Sequence, residues 1–163
     1  MKTRYRPSGL LRSMFWAAAL CAPMAVEAAP PAGPQIEKGR YLVRIGGCND
    51  CHTPGYGPSG GKVAEQDWLV GDRVMGFSGP WGTTYASNLR LLVAGMTEQQ
   101  WLALARKEMR PPMPWVSLHH MKQDDLKAIY RFIVSLGPKG EPAPAYRPPG
   151  QAHQGPAVVF PAP

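Results

Sequence analysis

The chain has 163 residues, the length of one ordinary domain, of which 44% are hydrophobic and 18% charged. Its 19 prolines and 18 glycines make up roughly a fifth of it, short of the composition of a wholly disordered chain. The formal charge of +7 does not mark a nucleic-acid-binding module. Lys2, Arg4, Arg6 and Arg12 stand together at the N-terminus, and no basic run or aromatic-interleaved arginine patch follows them.

Behind that basic head, Met14 to Val26 is a largely apolar run of 13 residues, too short for a bilayer core that needs about 20. Basic head, short apolar run and the small residue Ala28 together make a secretory signal peptide over residues 1–28, cleaved near Ala28. An uncleaved interfacial anchor is the competing account. Cleavage takes four cations and Glu27 from the 18 Lys+Arg and 11 Asp+Glu, leaving a net charge of +4 and no stable membrane insertion. Cys21 leaves with the peptide, and Leu20 before it is not the small residue of a lipoprotein site. Two cysteines survive, Cys48 and Cys51, which in an exported protein would ordinarily be read as one disulfide.

Ile36, Tyr41, Leu42 and Ile45 form an apolar stripe that predicts a helix over 36–46, closing on Gly46-Gly47. Cys48-Asn49-Asp50-Cys51-His52 follows immediately. It is the C-x-x-C-H pattern of covalent haem c attachment and overrides the disulfide reading. Two thiols at this spacing can each add to one porphyrin vinyl group, while the next imidazole becomes the proximal iron ligand. A thioredoxin-like pair would need a βαβ frame, and a zinc site two further ligands at finger spacing. The adjacent His119-His120 do not supply that spacing.

Residues 53–96 are glycine-rich without sustained alternation and read as loop wrapped on the cofactor. Within them Trp81, Tyr85 and Asn88 offer an indole N–H, a phenol and an amide to the haem propionates; packing and turn formation are the competing account of each. Thr97-Glu98-Gln99-Gln100 is a capping-box pattern that opens a short helix carrying Trp101, Leu102, Leu104 and Ala105, which Pro111 forbids from extending. A carrier of electrons needs a sixth iron ligand, and a thioether sulfur there favours Fe(II). Of the five methionines beyond the leader, Met75, Met96, Met109 and Met121 sit in glycine-rich, pre-cap or helix-end settings. Met113 lies in Arg110-Pro111-Pro112-Met113-Pro114-Trp115, where prolines on both sides impose a stiff extended loop suited to holding a weak ligand. His119 and His120 are its rivals, with solvation as their expected fate.

Leu126, Ile129, Tyr130, Ile133 and Leu136 step by three and four residues along a last helix that Gly137-Pro138 ends. The tail from 137 to 163 is Pro-rich, with few large apolar residues before Val158-Val159-Phe160, and its composition leaves three fates open: draped over the domain, docked on a partner, or mobile. Its His153 is expected to be solvated.

These segments resemble a class I c-type cytochrome of the small mono-haem bacterial periplasmic type. The resemblance rests on Gly39-Arg40-Tyr41-Leu42-Val43 leading into Cys48 to His52, on Gly79-Pro80-Trp81-Gly82 through Leu89, on Met113-Pro114-Trp115 and on the last helix, covering about residues 36–136. It implies an all-α, cytochrome c-like fold of about three main helices around one covalent haem c, with long loops, over 29–136. His52 would be the proximal and Met113 the distal ligand. The chain departs from the pattern at the start of the last helix, where Lys122 stands in place of a Ser or Thr cap and leaves Asp124 and Asp125 to meet the helix dipole. The implied function is a periplasmic one-electron carrier, not itself an enzyme, serving redox partner proteins such as a dehydrogenase or terminal oxidase. Two alternatives share the domain: an electron-entry subunit fixed in a dehydrogenase or oxidase complex, and a haem enzyme or sensor with a labile sixth ligand.

Overall fold

The computed structural model describes Met1 and residues 33–162, so the expected signal peptide lies outside the described residues. Among the described residues six α-helices appear in chain order: α1 (Pro34–Ile45), α2 (Cys48–His52), α3 (Leu89–Ala94), α4 (Glu98–Leu104), α5 (Trp115–His120) and α6 (Gln123–Ser135). Three short strands accompany them, β1 (Gly76–Gly79), β2 (Gly82–Tyr85) and β3 (Ala157–Val159), in the sheet order β2-β1-β3. The fold is therefore mainly helical but not all-α, and it has more than the three helices expected. The hairpin and α3 both fall in the stretch read as loop. Strands of three or four residues with glycine at their ends are too short for alternation to register.

The scaffold is the crossing of α1 and α6. The expected stripe of α1 is half inward: Ile36 and Leu42 pack against the core, whereas Tyr41 is 60% exposed and Ile45 62% exposed, and Gly39 and Val43 are the buried residues. Glycine explains the difference, since a Cβ at residue 39 would fall on the Ala128 carbonyl oxygen of α6. A glycine face lets the backbones meet and leaves no hydrophobic signature to read. Lys38 and Asp125 join the same two helices at 2.6 Å.

On α6 the buried residues are Leu126, Ala128, Ile129, Phe132 and Ile133, with Tyr130 and Leu136 packed at the edge. No side chain caps its start at Lys122, and Asp124 and Asp125 occupy its first turn as expected. Its far end is held by the buried Arg90, whose guanidinium donates to the carbonyls of Leu136, Gly137 and Gln66 and so satisfies groups that a helix end leaves orphaned. The capping box of α4 forms in full, the Thr97 hydroxyl accepting from Gln100 N–H and the Gln100 side chain from Thr97 N–H. Trp101 and Ala105 bury beneath it.

The Pro-rich tail is packed along the domain. Strand β3 runs parallel to β1, Arg147 and Thr83 exchange two backbone hydrogen bonds of 2.8 and 3.0 Å, and Phe160 stacks on Trp81 with ring centroids 5.4 Å apart. Gly82, at φ 95°, permits the close pass, because any Cβ there would strike the Arg147 carbonyl. No helix among the described residues is long and apolar enough to cross a membrane.

Candidate functional site

Helix α2 is a single turn entered through Gly47, whose φ of 68° suits glycine. That turn brings Cys48, Cys51 and His52 to the wall of one cavity of about 1330 Å³. Both thiols are free and half-buried. Burial, with a smaller contribution from Asp50, pushes the Cys48 thiol up to about 11 and raises that of Cys51 as well, so both stand as neutral thiols.

His52 is 7% exposed, and its Nδ1 lies 2.7 Å from the Ser87 carbonyl oxygen. A carbonyl only accepts, so Nδ1 carries the proton and Nε2 keeps its lone pair. Burial lowers the imidazole pKa, partly opposed by that hydrogen bond, and the ring stays neutral. Orientation of a ligand histidine through its other nitrogen is the usual arrangement at metal centres.

The groups around α2 fix it in turn. Thr53 donates to Asn49 Oδ1 at 2.8 Å and accepts from Leu69 N–H at 2.8 Å. Gly71 N–H donates to the His52 carbonyl at 2.8 Å. Leu69 itself is fully buried with φ 61°, a conformation uncommon for leucine and held here by hydrogen bonds on both its sides.

Across the cavity the lining is mostly aliphatic and aromatic, including Val43, Leu92, Trp101, Ile129 and Ile133. Three methionines join it: Met109, Met113 and Met121. Met75 and Met96 are not in the lining. Met121 belongs to the α2 side, since its Cε and Cys48 Sγ both lie within 4 Å of where a Gly46 Cβ would be. Met113 stands on the Pro-rich loop, which is anchored to β2 by the Thr84 hydroxyl donating to the Pro111 carbonyl at 2.8 Å. Met113 and Met109 both pack against Ala105, Leu118 and Leu126.

The structure separates the three residues expected at the propionates. Tyr85 lines the cavity, with its hydroxyl 3.4 Å from the Gln154 backbone. Asn88 lines it too, but its amide is already committed: Oδ1 accepts from the N–H groups of Arg90 and Leu91 as the N-cap of α3, and Nδ2 donates to the carbonyls of Lys139 and Glu141. In this arrangement the side chain caps α3 and anchors the tail. Trp81 is absent from the lining; it stacks on Phe160, and its Nε1 is buried without a partner.

Among the described residues that line the cavity, His52 is the only histidine. His119 and His120 lie on α5, a six-residue helix that follows Pro114 and is too short for its periodicity to register. The expected solvation holds for His120, which is exposed. It fails for His119, which stacks on Trp115 at 4.8 Å and buries an unpartnered Nε2. His153 is exposed and bonds the Gly155 carbonyl. Of the fates left open for the tail the structure shows the draped one, and what the sequence does not disclose is its part in the cavity wall, which Pro142, Pro144, Tyr146 and Phe160 all reach.

Comparison with known proteins finds three informative relatives. The chain is 28% identical to a nicotinate dehydrogenase subunit of Pseudomonas putida, over 84% of this chain and 13% of that protein. It is 33% identical to the gluconate 2-dehydrogenase cytochrome c subunit of Pantoea cypripedii, over 70% of this chain and 30% of that protein. It is 25% identical to the fructose dehydrogenase cytochrome subunit of Gluconobacter japonicus, over 68% of this chain and 23% of that protein. No family profile and no solved structure matches it. The chain thus spans less than a third of the length of each of these relatives, and it is similar to the cytochrome subunits of two dehydrogenases and to a subunit of another.

Proposed function

We propose that this chain is a c-type cytochrome domain that accepts electrons within a dehydrogenase complex and passes them on. The observation that carries the reading is the set of donors on one wall of a large apolar cavity: two free thiols one helical turn apart and an imidazole whose unprotonated Nε2 is left available by the Nδ1 bond to Ser87. These residues fit haem c. Cys48 and Cys51 would hold it by thioethers, His52 would be its proximal ligand and Met113, on its anchored loop, the distal one. Bound there, haem supplies a one-electron iron couple.

The chain's own part is to fix the two ligands, to line the cofactor with aliphatic and aromatic side chains that exclude water, and to leave one edge accessible to partners. Resemblance to dehydrogenase cytochrome subunits favours a subunit of such a complex over a freely diffusing periplasmic carrier. It also favours an electron carrier over a catalytic subunit. Export to the periplasm after cleavage near Ala28, a single haem, and membership of the class I type belong to the same proposal.

The test is attachment. Haem in the purified protein is expected to resist acid-acetone extraction, and the Cys48→Ala, Cys51→Ala double variant to hold only extractable haem or none. Release of haem from the wild-type protein in that solvent would overturn the proposal.

A further inference from the structure

The cavity wall carries three charged side chains besides the neutral His52: Asp50, Glu108 and Arg110. Arg110 is the one cation among the described lining residues, and no described carboxylate pairs with it. Its guanidinium lies 4.1 Å from the centroid of the Tyr146 ring. Tyr146 belongs to the Pro-rich tail and is pinned twice: its hydroxyl donates to the Trp81 carbonyl at 2.7 Å, and Arg147 beside it is hydrogen-bonded to Thr83 of β2. A guanidinium held over a fixed ring by its cation–π contact still has N–H groups to offer a bidentate acceptor. Arg110 is also tied to the ligand loop, because its carbonyl accepts from Met113 N–H at 3.2 Å.

A porphyrin bearing two carboxylates brings its negative charge into this largely apolar cavity. Leaving an ionised carboxylate there without a partner is costly. Of the groups expected for that task, the Asn88 amide is fully engaged and Trp81 stands outside the lining. We infer that Arg110 binds a carboxylate of the cofactor through charge-assisted hydrogen bonds, and that Tyr146 of the tail is the positioning residue that holds it there. The inference rests on the haem reading above and adds the tail to the cofactor site.

The experiment uses the purified haem-loaded protein with the variants Arg110→Gln, Arg110→Lys, Tyr146→Leu and Glu108→Gln. The porphyrin carboxylate bending band is followed by resonance Raman spectroscopy, and the midpoint potential by redox titration. Arg110→Gln is expected to shift the band and to lower the ratio of reduced to oxidised protein at fixed potential about tenfold, equivalent to about 59 mV for a one-electron couple. Arg110→Lys keeps the charge and loses the fork, so the band shifts while most of the potential is retained. Tyr146→Leu, with Arg110 present but unsupported, moves the band in the same direction by less. Glu108→Gln, a charge change at the same rim, leaves the band in place.

An unshifted band in Arg110→Gln overturns the inference, even if the potential falls, because the cation would then act only through its field. A band shift in Glu108→Gln as large as in Arg110→Gln overturns it too. Absence of covalent haem from the wild-type protein overturns the haem reading itself and this inference with it, an outcome distinct from the others because it appears before any variant is made.

Discussion

At the scale of single residues, the proposed site joins one candidate ligand fixed by its neighbours, His52, to one fixed by its backbone, Met113. His52 is aimed by the Ser87 carbonyl and kept neutral by burial. Met113 has no polar handle, so the stiffness of the prolines and the Thr84 bond to Pro111 do the same work. Met113→Ala is therefore expected to lower the reduction potential and to open the iron to cyanide or carbon monoxide, with the thioethers and His52 retaining the haem. Redox titration and optical ligand binding check it together. An unchanged potential with no new ligand binding would move the distal role to Met109 or Met121, which line the same cavity.

At the scale of elements, the α1–α6 crossing shows where sequence is legible and where it is not. The C-x-x-C-H turn, the capping box at Thr97 and the apolar face of α6 are readable because each is local: the signal lies within one turn or one period of the helix. The inward face of α1 is only half readable, because Ile36 and Leu42 announce it but its closest contact with α6 is a glycine, which carries no hydrophobic weight. Gly39→Ala brings two opposed effects. Alanine gains about 1 kcal/mol of helix propensity, whereas overpacking costs about 1–3 kcal/mol or more. The obstacle is a backbone carbonyl that has no rotamer to move to, so the cost wins. A net loss of about 2 kcal/mol is expected in urea denaturation, and a stabilised variant would mean that the two helices do not meet at Gly39.

The same crossing predicts a pH dependence. Lys38 holds the Asp125 carboxyl below its ordinary value, chiefly through their hydrogen bond. A depressed carboxylate contributes stability above its unfolded pKa of about 3.9, and that contribution is lost as the pH falls through the lower folded value. The pair is partly exposed, so its worth is discounted to about 0.5 kcal/mol. Lys38→Met is expected to be less stable than wild type by that amount at pH 7. The two should converge once the pH falls below the depressed folded value, where Asp125 is protonated in both folded and unfolded chains. A gap that persists unchanged at low pH would show that Lys38 stabilises α1 by packing alone.

For the whole molecule, the tail is the part least legible in sequence and most altered by the structure. Its partners lie far away along the chain: Thr83 for Arg147, Trp81 for Tyr146 and Phe160, Asn88 for Lys139, Gly76 to Ser78 for β3. No local period can announce contacts of that separation, and proline-rich composition reads as loop whether or not it is docked. In the structure those contacts make the tail a wall of the cavity. Truncation after Gly155 removes β3 and Phe160, which uncovers Trp81 and one side of the cavity proposed to hold the haem. Lost packing is expected to lower Tm by a few degrees, on the scale of about 2–4 °C per kcal/mol for a chain of this size. Water admitted to that side stabilises the more highly charged Fe(III) form, so the reduction potential is expected to fall in the same variant. Calorimetry of the reduced and oxidised proteins tests both effects at once, because a fall in potential requires the reduced form to lose more stability than the oxidised one. Equal losses in the two redox states would leave the tail a structural strap with no influence on the iron.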